Sequence, residues 1–476
     1  MYRILLNTIF LLLLAGAAIA QTFPGYNVST YAGIHGVLSN PASAAGYRYK
    51  WDVNIIGADV KAGNTYARVP KSTLTHIPKN WKPNQDYFLD TTAQRKQNGW
   101  MMAEIVLPSV LYAIDEKQSV SFVWRMRSSG SAGNLPTPLA NFFSDFPNLQ
   151  YRGKSLTIEK AAASMHVWNE LGFSYARVIK EGYTSRWKAG ITVKLLSGVA
   201  AGYSQVANTN FVLNTKRNAD ITSGTLRYGY SQELDHWKKP DLSNIQLFQN
   251  NGIGLDLGVI YEYRPDNGGW GKREGTDADD YKFRLGVSIT DIGRIKYVKS
   301  ANNTDLSLVK DNLDPRQITY RDKESLKQYS TRLNRYFTPM ASDSTFHMSL
   351  PAALNLMGDY NIDSRFFVSA NAVIALNAGN RNFYKTYALT QLLITPRYET
   401  ERFGAYMPFV INHNGQADVG AAVRFGPLVL GSYSLFTTLF QSRINHADAF
   451  VALRLNPGML GRRNGDKKEL GCPVNF

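Results

Sequence analysis

The chain has 476 residues and a formal net charge of +16, and charged residues make up only 19% of it. Glycine (38), tyrosine (27) and phenylalanine (23) are abundant, as expected of a β-barrel, which needs small residues in its wall and aromatic residues at both membrane interfaces. After residue 20, no run of about eighteen apolar residues remains, which excludes a helical inner-membrane protein.

Residues 1–20 have the pattern of a secretory signal peptide. Arg3 precedes an apolar run over 4–14, and Ala18-Ile19-Ala20 is a small-x-small cleavage site. An uncleaved membrane anchor is the alternative, but the apolar run is short for a spanning helix. We therefore expect an exported chain whose mature form begins at Gln21, where no cysteine is present to carry a lipid anchor.

Residues 21–50 contain four glycines and two asparagines and show no strand pattern. They are predicted to form a hatch, an N-terminal segment folded into the barrel as a plug. In this hypothesis Asn40 hydrogen-bonds groups of the lumen and Pro41 fixes a bend. The alternative is a loose periplasmic leader.

The barrel is predicted over 51–456 from alternation with a period of two residues. In 252–264, apolar side chains from Ile253 to Tyr263 share one face, and the other face carries Asp256, Glu262 and Arg264. Similar alternation occurs in 118–128, 187–195 and 281–289. These runs are long enough to cross a bilayer at a tilt and exceed the usual strand of a soluble sandwich. The sequence therefore predicts an all-β fold, a transmembrane antiparallel β-barrel of about 14–16 strands.

Aromatic residues on the predicted outward faces are interpreted as girdles at the membrane interfaces. They are Trp51, Trp124, Trp168, Trp187, Tyr261, Tyr281 and Tyr360.

Connection lengths also favour a barrel, because bacterial barrels alternate short periplasmic turns with long external loops. Short turns are predicted at 115–117, 181–183, 362–364 and 399–401, and long segments at 69–98, 129–163, 231–251 and 298–345. Two connections break the rule. The segment 265–280 is longer than a turn, and the link at Ser197-Gly198 is tight where a loop is expected.

A direct count of the predicted strands gives about sixteen, of which 200–213 and 427–435 are weakly patterned. Three prolines, Pro108, Pro396 and Pro408, fall inside predicted strands. Each removes a ladder hydrogen bond, so we expect the strands to be interrupted or the wall to be open at these places.

The predicted inward faces carry many cations, six of which are candidate contacts of a ligand path or of the plug: Arg125, Arg127, Lys188, Lys194, Arg264 and Arg284. Arg227 and Lys282 have the same parity, and Glu170, Asp256 and Glu262 oppose the cations. One interpretation is an electropositive path for anionic solutes. The other is that the cations pair with acids and with the plug and hold it in place.

The sequence contains no motif that points to catalysis: no G-x-S-x-G, no H-E-x-x-H, no Walker loop and no C-x-x-C. Its seven histidines are scattered without metal-ligand spacing. His347 and Ser349 share a strand face, but no acid partner can be named for an esterase. We expect no enzymatic activity, no cofactor and no metal site.

Residues 457–476 are predicted to be a polar, basic periplasmic tail, which contains the single cysteine, Cys472. One cysteine cannot form an internal disulfide. In an exported chain the positive charge favours outer-membrane lipid and lipopolysaccharide as partners and not nucleic acid. The long loops and the tail are candidate docking sites for envelope proteins.

Several short motifs carry a resemblance to a known family. They are Gly33-Ile34-His35-Gly36, Asn40-Pro41-Ala42, Gly254-Leu255-Asp256-Leu257-Gly258 and Asp291-Ile292-Gly293, together with Cys472-Pro473 in the tail. With these motifs the mature chain resembles the FadL-type outer-membrane transporters, their PorV-type relatives in type IX secretion, and above all an uncharacterised branch of this superfamily. The resemblance implies fourteen strands, a periplasmic N-terminus and an N-terminal plug in the lumen.

Two functions are compatible with this sequence, and both place the protein in the cell outer membrane. The first is FadL-like, gated passage of small or hydrophobic ligands. The alternative is a non-transporting, PorV-like barrel that serves as a subunit or scaffold of a complex for secretion or envelope assembly. FadL-type transporters have an apolar ligand path, whereas this predicted lumen is charged, which argues against fatty-acid uptake. A soluble secreted β-protein is a third alternative, in which the outward apolar faces are hidden in a common core.

Overall fold

The computed structural model describes residues 23–78, 81–91, 96–143, 152–214, 218–235, 249–265, 281–321, 324–376 and 384–459. The predicted signal peptide, Cys472 and the predicted tail beyond residue 459 lie outside these ranges. Within them, no helix is both long and apolar enough to cross a membrane.

Fourteen antiparallel strands form one closed wall. In chain order they are β1 Trp51–Asn64, β2 Gln97–Val106 continued by Ser109–Ala113, β3 Gln118–Leu135, β4 Ser155–Glu181, β5 Ser185–Leu213, β6 Asn250–Tyr263, β7 Phe283–Val298, β8 Thr345–Ser349 continued by Ala353–Asn361, β9 Phe366–Ala375, β10 Gln391–Glu399, β11 Phe403–Tyr406 continued by Phe409–Asn412, β12 Ala417–Val419 continued by Ala421–Phe425, β13 Leu428–Ser432 and β14 His446–Leu455. The wall closes where β14 pairs with β1, with Asp59 opposite Phe450. A closed wall has no unpaired edge, which is what allows a sheet to cross a membrane. The predicted fold class is confirmed, with the strand number at the lower end of the predicted range.

The strands alternate between an outward apolar face and an inward polar face. In β6, Ile253, Leu257 and Val259 are exposed, whereas Asp256 and Glu262 are buried inside. We call the exposed, outward apolar side chains of the barrel strands the apolar belt; among them are Ile56, Val193, Ile253, Leu285, Leu392, Phe409, Ile411 and Val451. In a transmembrane barrel this surface is covered by lipid.

Two of the seven predicted girdle aromatics lie inside the barrel, so that part of the prediction is wrong. Trp168 has the same strand parity as Glu170, and both are fully buried. Tyr281 precedes the first residue of β7, where strand alternation does not yet apply, and its hydroxyl donates to Asp359 Oδ2 at 2.7 Å.

The connections explain one of the two extra strands in the predicted count. Ser197-Gly198 is not a connection, because β5 continues through it, and 200–213 is the outer half of that same strand. The other weakly patterned range, 427–435, does contain a barrel strand, β13. Without the apparent link at Ser197-Gly198, one of the two exceptions to alternating short and long connections disappears. The other, 265–280, lies almost wholly outside the described residues.

Two of the three prolines interrupt their strands, as predicted. Pro108 separates the two parts of β2, and Pro408 separates the two parts of β11. Pro396 remains within β10, opposite Val368, and its carbonyl accepts from Met407 N at 3.1 Å.

A second layer of structure lies beyond the barrel, at the end with the long connections. We call it the crown: the outer halves of β4 and β5, strands Ala219–Tyr230, Asp305–Ser307, Lys310–Leu313 and Thr338–Met340, and helix Leu326–Tyr336. Phe211, Tyr228, Leu306, Leu333 and Phe337 are buried together in its own hydrophobic core. Ser325 and Gln328 form a capping box that starts the helix.

The remaining elements are short. Strand Ala67–Pro70 pairs with Phe88–Leu89 and with Arg443–Ile444 in a small separate sheet. The short helices are Ile34–Val37, Thr137–Phe143, Pro315–Ile318 and Leu435–Phe440, with 3-10 turns at Pro41–Ala44, Lys71–Leu74 and Gln232–Leu234.

Candidate functional site: the barrel lumen

Residues 23–50, which we call the N-terminal segment, lie against the inner face of the wall. Phe23 and Tyr26 pack with Tyr406 and Phe450 of β11 and β14. Further along, helix Ile34–Val37 packs with Leu111, Val123 and Val178 of β2, β3 and β4. The segment therefore contacts strands from both ends of the chain, and its apolar side chains are buried without belonging to the sheet.

Asn40 and Pro41, the two predicted plug contacts, lie close against the wall. Asn40 caps the turn Pro41–Ala44 by accepting from Ala42 N at 2.9 Å, and its amide donates to the carbonyls of Val259 (3.3 Å) and Val287 (3.4 Å). The wall makes room with Gly258 and Gly190. A Cβ on Gly258 would lie 2.0 Å from Asn40 Oδ1, and one on Gly190 would lie 2.4 Å from the carbonyl carbon of Pro41. Only glycine fits these positions without displacing the segment.

Polar contacts fix the segment at β1 and β14. Arg454 Nη2 donates to the carbonyl of Tyr31 at 2.6 Å, and its Nη1 donates to the carbonyl of Ala32. Arg454 is also 3.1 Å from Asp52, whose other oxygen accepts from Ile34 N at 3.2 Å.

Further contacts follow around the wall. Asp59 of β1 accepts from Phe23 N at 2.8 Å. On β7, Ser288 Oγ donates to the carbonyl of Ser39 at 2.6 Å, and Arg284 donates to the carbonyl of Val28. Most of these contacts involve backbone groups of the segment.

The largest ionic network extends over neighbouring strands β2 to β7. Arg127 lies 2.8 Å from Asp291 and 3.1 Å from Glu170, and Lys194 lies 2.6 Å from Asp291 and 2.7 Å from Asp256. Arg125 completes the network through Glu104, at 3.2 Å, and Glu170. These side chains are nearly inaccessible to solvent. Removing one member would leave a buried charge short of a partner, which is strongly destabilising.

Two smaller networks contain the remaining predicted cations. Glu262 of β6 lies 2.6 Å from Lys188 and 3.3 Å from Arg264. Arg284 is 2.9 Å from Asp359, which also pairs with Arg397 at 2.7 Å. Arg397 in turn lies 2.9 Å from Glu399.

In these three networks seven cations face seven carboxylates: Arg125, Arg127, Lys188, Lys194, Arg264, Arg284 and Arg397 against Glu104, Glu170, Asp256, Glu262, Asp291, Asp359 and Glu399. The lining is therefore balanced in charge here and not electropositive. Each network is formed by side chains of the wall.

Two further cations have the same strand parity as the predicted lumen cations but lie outside these networks. Arg227 belongs to the crown, where its side chain is 52% exposed and 3.7 Å from Asp305. Lys282 lies at the rim with the short turns, where its Nζ is 4.7 Å from the ring of Tyr360. Neither lines the lumen.

Sequence reasoning missed Glu104, Asp291, Asp359 and Arg397. Asp359 and Arg397 lie on the polar faces of their strands, so alternation carries the signal for them. Glu104 shares its face with Trp100, Met102 and Val106, so alternation gives no clear signal there. Asp291 lies at a register shift between β6 and β7 and has a positive φ of 61°, so its direction does not follow from alternation.

A cavity of about 10 Å³ lies between Val37 and Leu38 of the segment and Arg125, Glu170 and Lys194 of the wall. That volume holds about one water molecule.

A closed antiparallel wall with an apolar outer face and a polar interior defines a transmembrane β-barrel protein. A family model matches residues 41–433, and the chain belongs to that family, which is described as a family of unknown function, DUF5723.

Comparison with curated proteins finds no match. Among solved structures, the chain is similar to the toluene transporter TodX of Pseudomonas putida (10% identity, 90% of this chain and 94% of that chain, TM-score 0.42). It is also similar to the toluene transporter TbuX of Ralstonia pickettii (11%, 93% and 95%, TM-score 0.40) and to a FadL homologue of Pseudomonas aeruginosa (10%, 92% and 95%, TM-score 0.39).

Proposed function

We propose that this protein lies in the cell outer membrane and allows the gated passage of small or hydrophobic ligands, with the N-terminal segment as the gate. The outer-membrane location is supported by the apolar belt, because so much exposed apolar surface around a closed sheet is stable only in lipid.

The observation that supports a movable gate is that the buried charges have their partners in the wall. Arg127, Lys194 and Lys188 pair with carboxylates of the wall, on neighbouring or nearby strands. Departure of the segment would therefore leave the charges of these networks paired. A plug that neutralised wall charges would be held much more tightly, because an unpaired buried charge costs several kcal/mol (about 3–5).

Arg284 and Arg454 contact the segment and follow the same rule. Both donate to backbone carbonyls of the segment, but each also has a carboxylate of the wall, Asp359 and Asp52. Releasing the segment exchanges hydrogen bonds from these guanidinium groups for bonds to water, a net change of about 1.5–3 kcal/mol each. Arg424 also contacts the segment, 4.5 Å from the ring of Tyr31, and its guanidinium keeps the carbonyls of Glu401 and Phe403 as partners in the wall.

The charged side chains on the inner face of the wall also restrict which ligands can pass. Once the segment moves, the exposed surface carries balanced charges, which favours small solutes and opposes long acyl chains. Balanced charges also predict little preference for anions over cations.

The location is tested by fractionating cells and following heat-modifiable gel mobility. A band in the outer-membrane fraction that shifts on heating is expected of a folded barrel. A soluble protein without a shift would overturn the location and the transport function together.

The gate is tested by liposome swelling and by conductance in planar bilayers. We compare the mature protein, a deletion of 21–45, and the double variant Ser39→Cys/Ser288→Cys in a Cys472→Ser background. Ser288 Oγ donates to the backbone carbonyl of Ser39, so the two positions are adjacent, and oxidation of the paired cysteines should lock the segment to β7. We expect permeability to rise on deletion and to be abolished by oxidation and restored by reduction.

Single-cysteine variants at 39 and at 288 are the matched controls and should not respond to oxidation. No permeability in either the mature protein or the deletion variant would overturn gated passage.

The crown favours a second candidate, a barrel that serves as subunit or scaffold of an envelope complex. Its hydrophobic core gives the long connections a fixed shape, which suits a docking surface better than loose loops do. A photo-crosslinking residue at the exposed Val309 should then capture one envelope protein in cells, and the mature protein should stay impermeable. Capture of nothing would leave this candidate without support.

A further inference from the structure

Strand β13 is shorter than its neighbours, and a helix continues in its place. Its last paired residue is Ser432, opposite Ala421 of β12. Beyond that point, helix Leu435–Phe440 lies beside β12, and Thr437 Oγ1 accepts from Val419 N at 2.9 Å. On the other side, Asp448 of β14 accepts from Tyr433 N at 2.8 Å. The helix therefore fills a place in the wall that a strand would otherwise occupy.

The pairing register of β11 and β12 gives the height of this helix along the barrel. Val419 pairs with Phe409, and Ala417 pairs with Ile411. Phe409 and Ile411 point outward and belong to the apolar belt. The helix thus lies at the height of the belt, towards the end of the barrel that bears the crown.

The outward side of the helix continues the belt. Leu435, Leu439 and Phe440 are exposed by 38%, 54% and 86%. Thr437 faces the strand edge. An apolar patch that is continuous with a lipid-covered surface is itself expected to contact lipid.

Two cations adjoin this patch. Lys71 Nζ donates to the carbonyl of Leu439 at 2.9 Å, and Lys71 N donates to the carbonyl of Ser442. Arg443 pairs with Pro70 across the small sheet and stacks on the ring of Phe88 at 3.4 Å. Both side chains are exposed, and neither forms an ion pair with a carboxylate in the part of the chain that the structure describes.

We propose that Lys71, Arg443 and the outward side of helix Leu435–Phe440 bind a phosphate-bearing lipid of the outer leaflet. The phosphate lies between the two cations, and the acyl chains cover Leu439 and Phe440. Lysine and arginine are suited to phosphate, and the patch supplies apolar contact beside it. Continuity with the belt favours a lipid over a soluble anion. The proposal rests on the membrane location and is independent of whether solutes pass through the barrel.

The test is binding of bisphosphorylated lipid A to the purified mature protein in a non-ionic detergent, measured by native mass spectrometry. Lys71→Gln/Arg443→Gln should bind about thirtyfold more weakly, because two cations are lost. Lys310→Gln/Arg335→Gln removes the same charge from exposed positions in the crown and should bind like the unaltered protein. Retained heat-modifiable mobility verifies that each variant is folded.

Two further measurements distinguish a lipid from the other possible occupants of this site, a soluble anion and a second copy of the chain. Inorganic phosphate at millimolar concentration should not compete; competition would make this a soluble anion site and overturn the proposal. Leu439→Ser/Phe440→Ser should weaken lipid A binding while the oligomeric state stays the same. A loss of oligomers with unchanged lipid binding would instead identify a contact between copies. Equal loss in the crown control, or none in Lys71→Gln/Arg443→Gln, would also overturn the lipid site.

Discussion

Strands β3 to β7 and strands β11 to β14 build two parts of the same wall in different ways. In the first part, Ser155–Glu181 and Ser185–Leu213 are paired along nearly their whole length, and the large ionic network lies across them. In the second part, β11 and β12 are interrupted at Pro408 and Gly420, helix Leu435–Phe440 replaces half of β13, and β14 is continuous. The first part is held by long ladders and the large network of buried charges. The second part is held by shorter ladders and local hydrogen bonds, with the buried pair Arg454–Asp52 at its end.

The comparison teaches where this barrel can change shape without loss of its fold. Long, fully paired strands open only by unfolding, whereas short elements joined by side-chain contacts open locally. The N-terminal segment touches both parts, through Asn40 at β6 and β7 and through Tyr26 at β11. Substitutions should therefore lower the free energy of unfolding most in the first part, β3 to β7.

The largest effect is expected from Asp291→Asn. Asparagine tolerates the positive φ of this position, so the substitution removes a charge without backbone strain. Arg127 and Lys194 would each lose their shortest carboxylate contact. We expect the free energy of unfolding, measured with urea in detergent micelles, to fall by about 3 kcal/mol.

Arg227→Ala is the matched control, because it breaks an ion pair that is half-exposed in the crown. Its cost should stay below about 1 kcal/mol. Equal losses in the two variants would show that buried charge pairs do not distinguish β3 to β7 from the rest of the wall.

Gly258→Ala should have an intermediate effect. The added Cβ would overlap Asn40 Oδ1 at 2.0 Å, so the segment must shift away from β6, at a cost of about 1–3 kcal/mol. The expected readout is faster trypsin cleavage after Arg48, with the heat-modifiable barrel intact. Gly358→Ala, where the nearest atom is 3.9 Å away, should leave cleavage unchanged. Unchanged cleavage in Gly258→Ala would mean that this contact does not hold the segment.

The sequence predicts the two parts of the wall unequally well. Strand alternation identifies β6 and the inward direction of Arg125, Lys194 and Arg264, because a lipid-facing strand must be apolar at every second residue. The same rule cannot place Asp291, since it lies within a register shift. The PorV relation and the roles of the lumen residues stay predictions.

Other features depend on contacts that no local pattern contains. Helix Leu435–Phe440 is too short to show a helical period, and its position is set by Val419 and Asp448 on two separate strands. The crown likewise joins residues from Leu139 to Phe337 in one core. The six predicted lumen cations were found from the sequence, but their partners required the registers of the wall.

The smallest effect is expected in the second part of the wall, from Thr437→Val. Valine keeps the shape of the side chain but cannot accept from Val419 N, which leaves one backbone donor unpaired at a cost of about 1 kcal/mol. Hydrogen exchange of the peptide containing Val419 should therefore speed up several-fold, while exchange in β4 and β5 does not change. Thr438→Val is the control, since Thr438 makes only a 3.5 Å contact to Ser434 within the helix. If both variants accelerate exchange equally, the helix seals the wall by packing and not by this hydrogen bond, and the contrast between the two parts of the wall would lose its physical basis at this point.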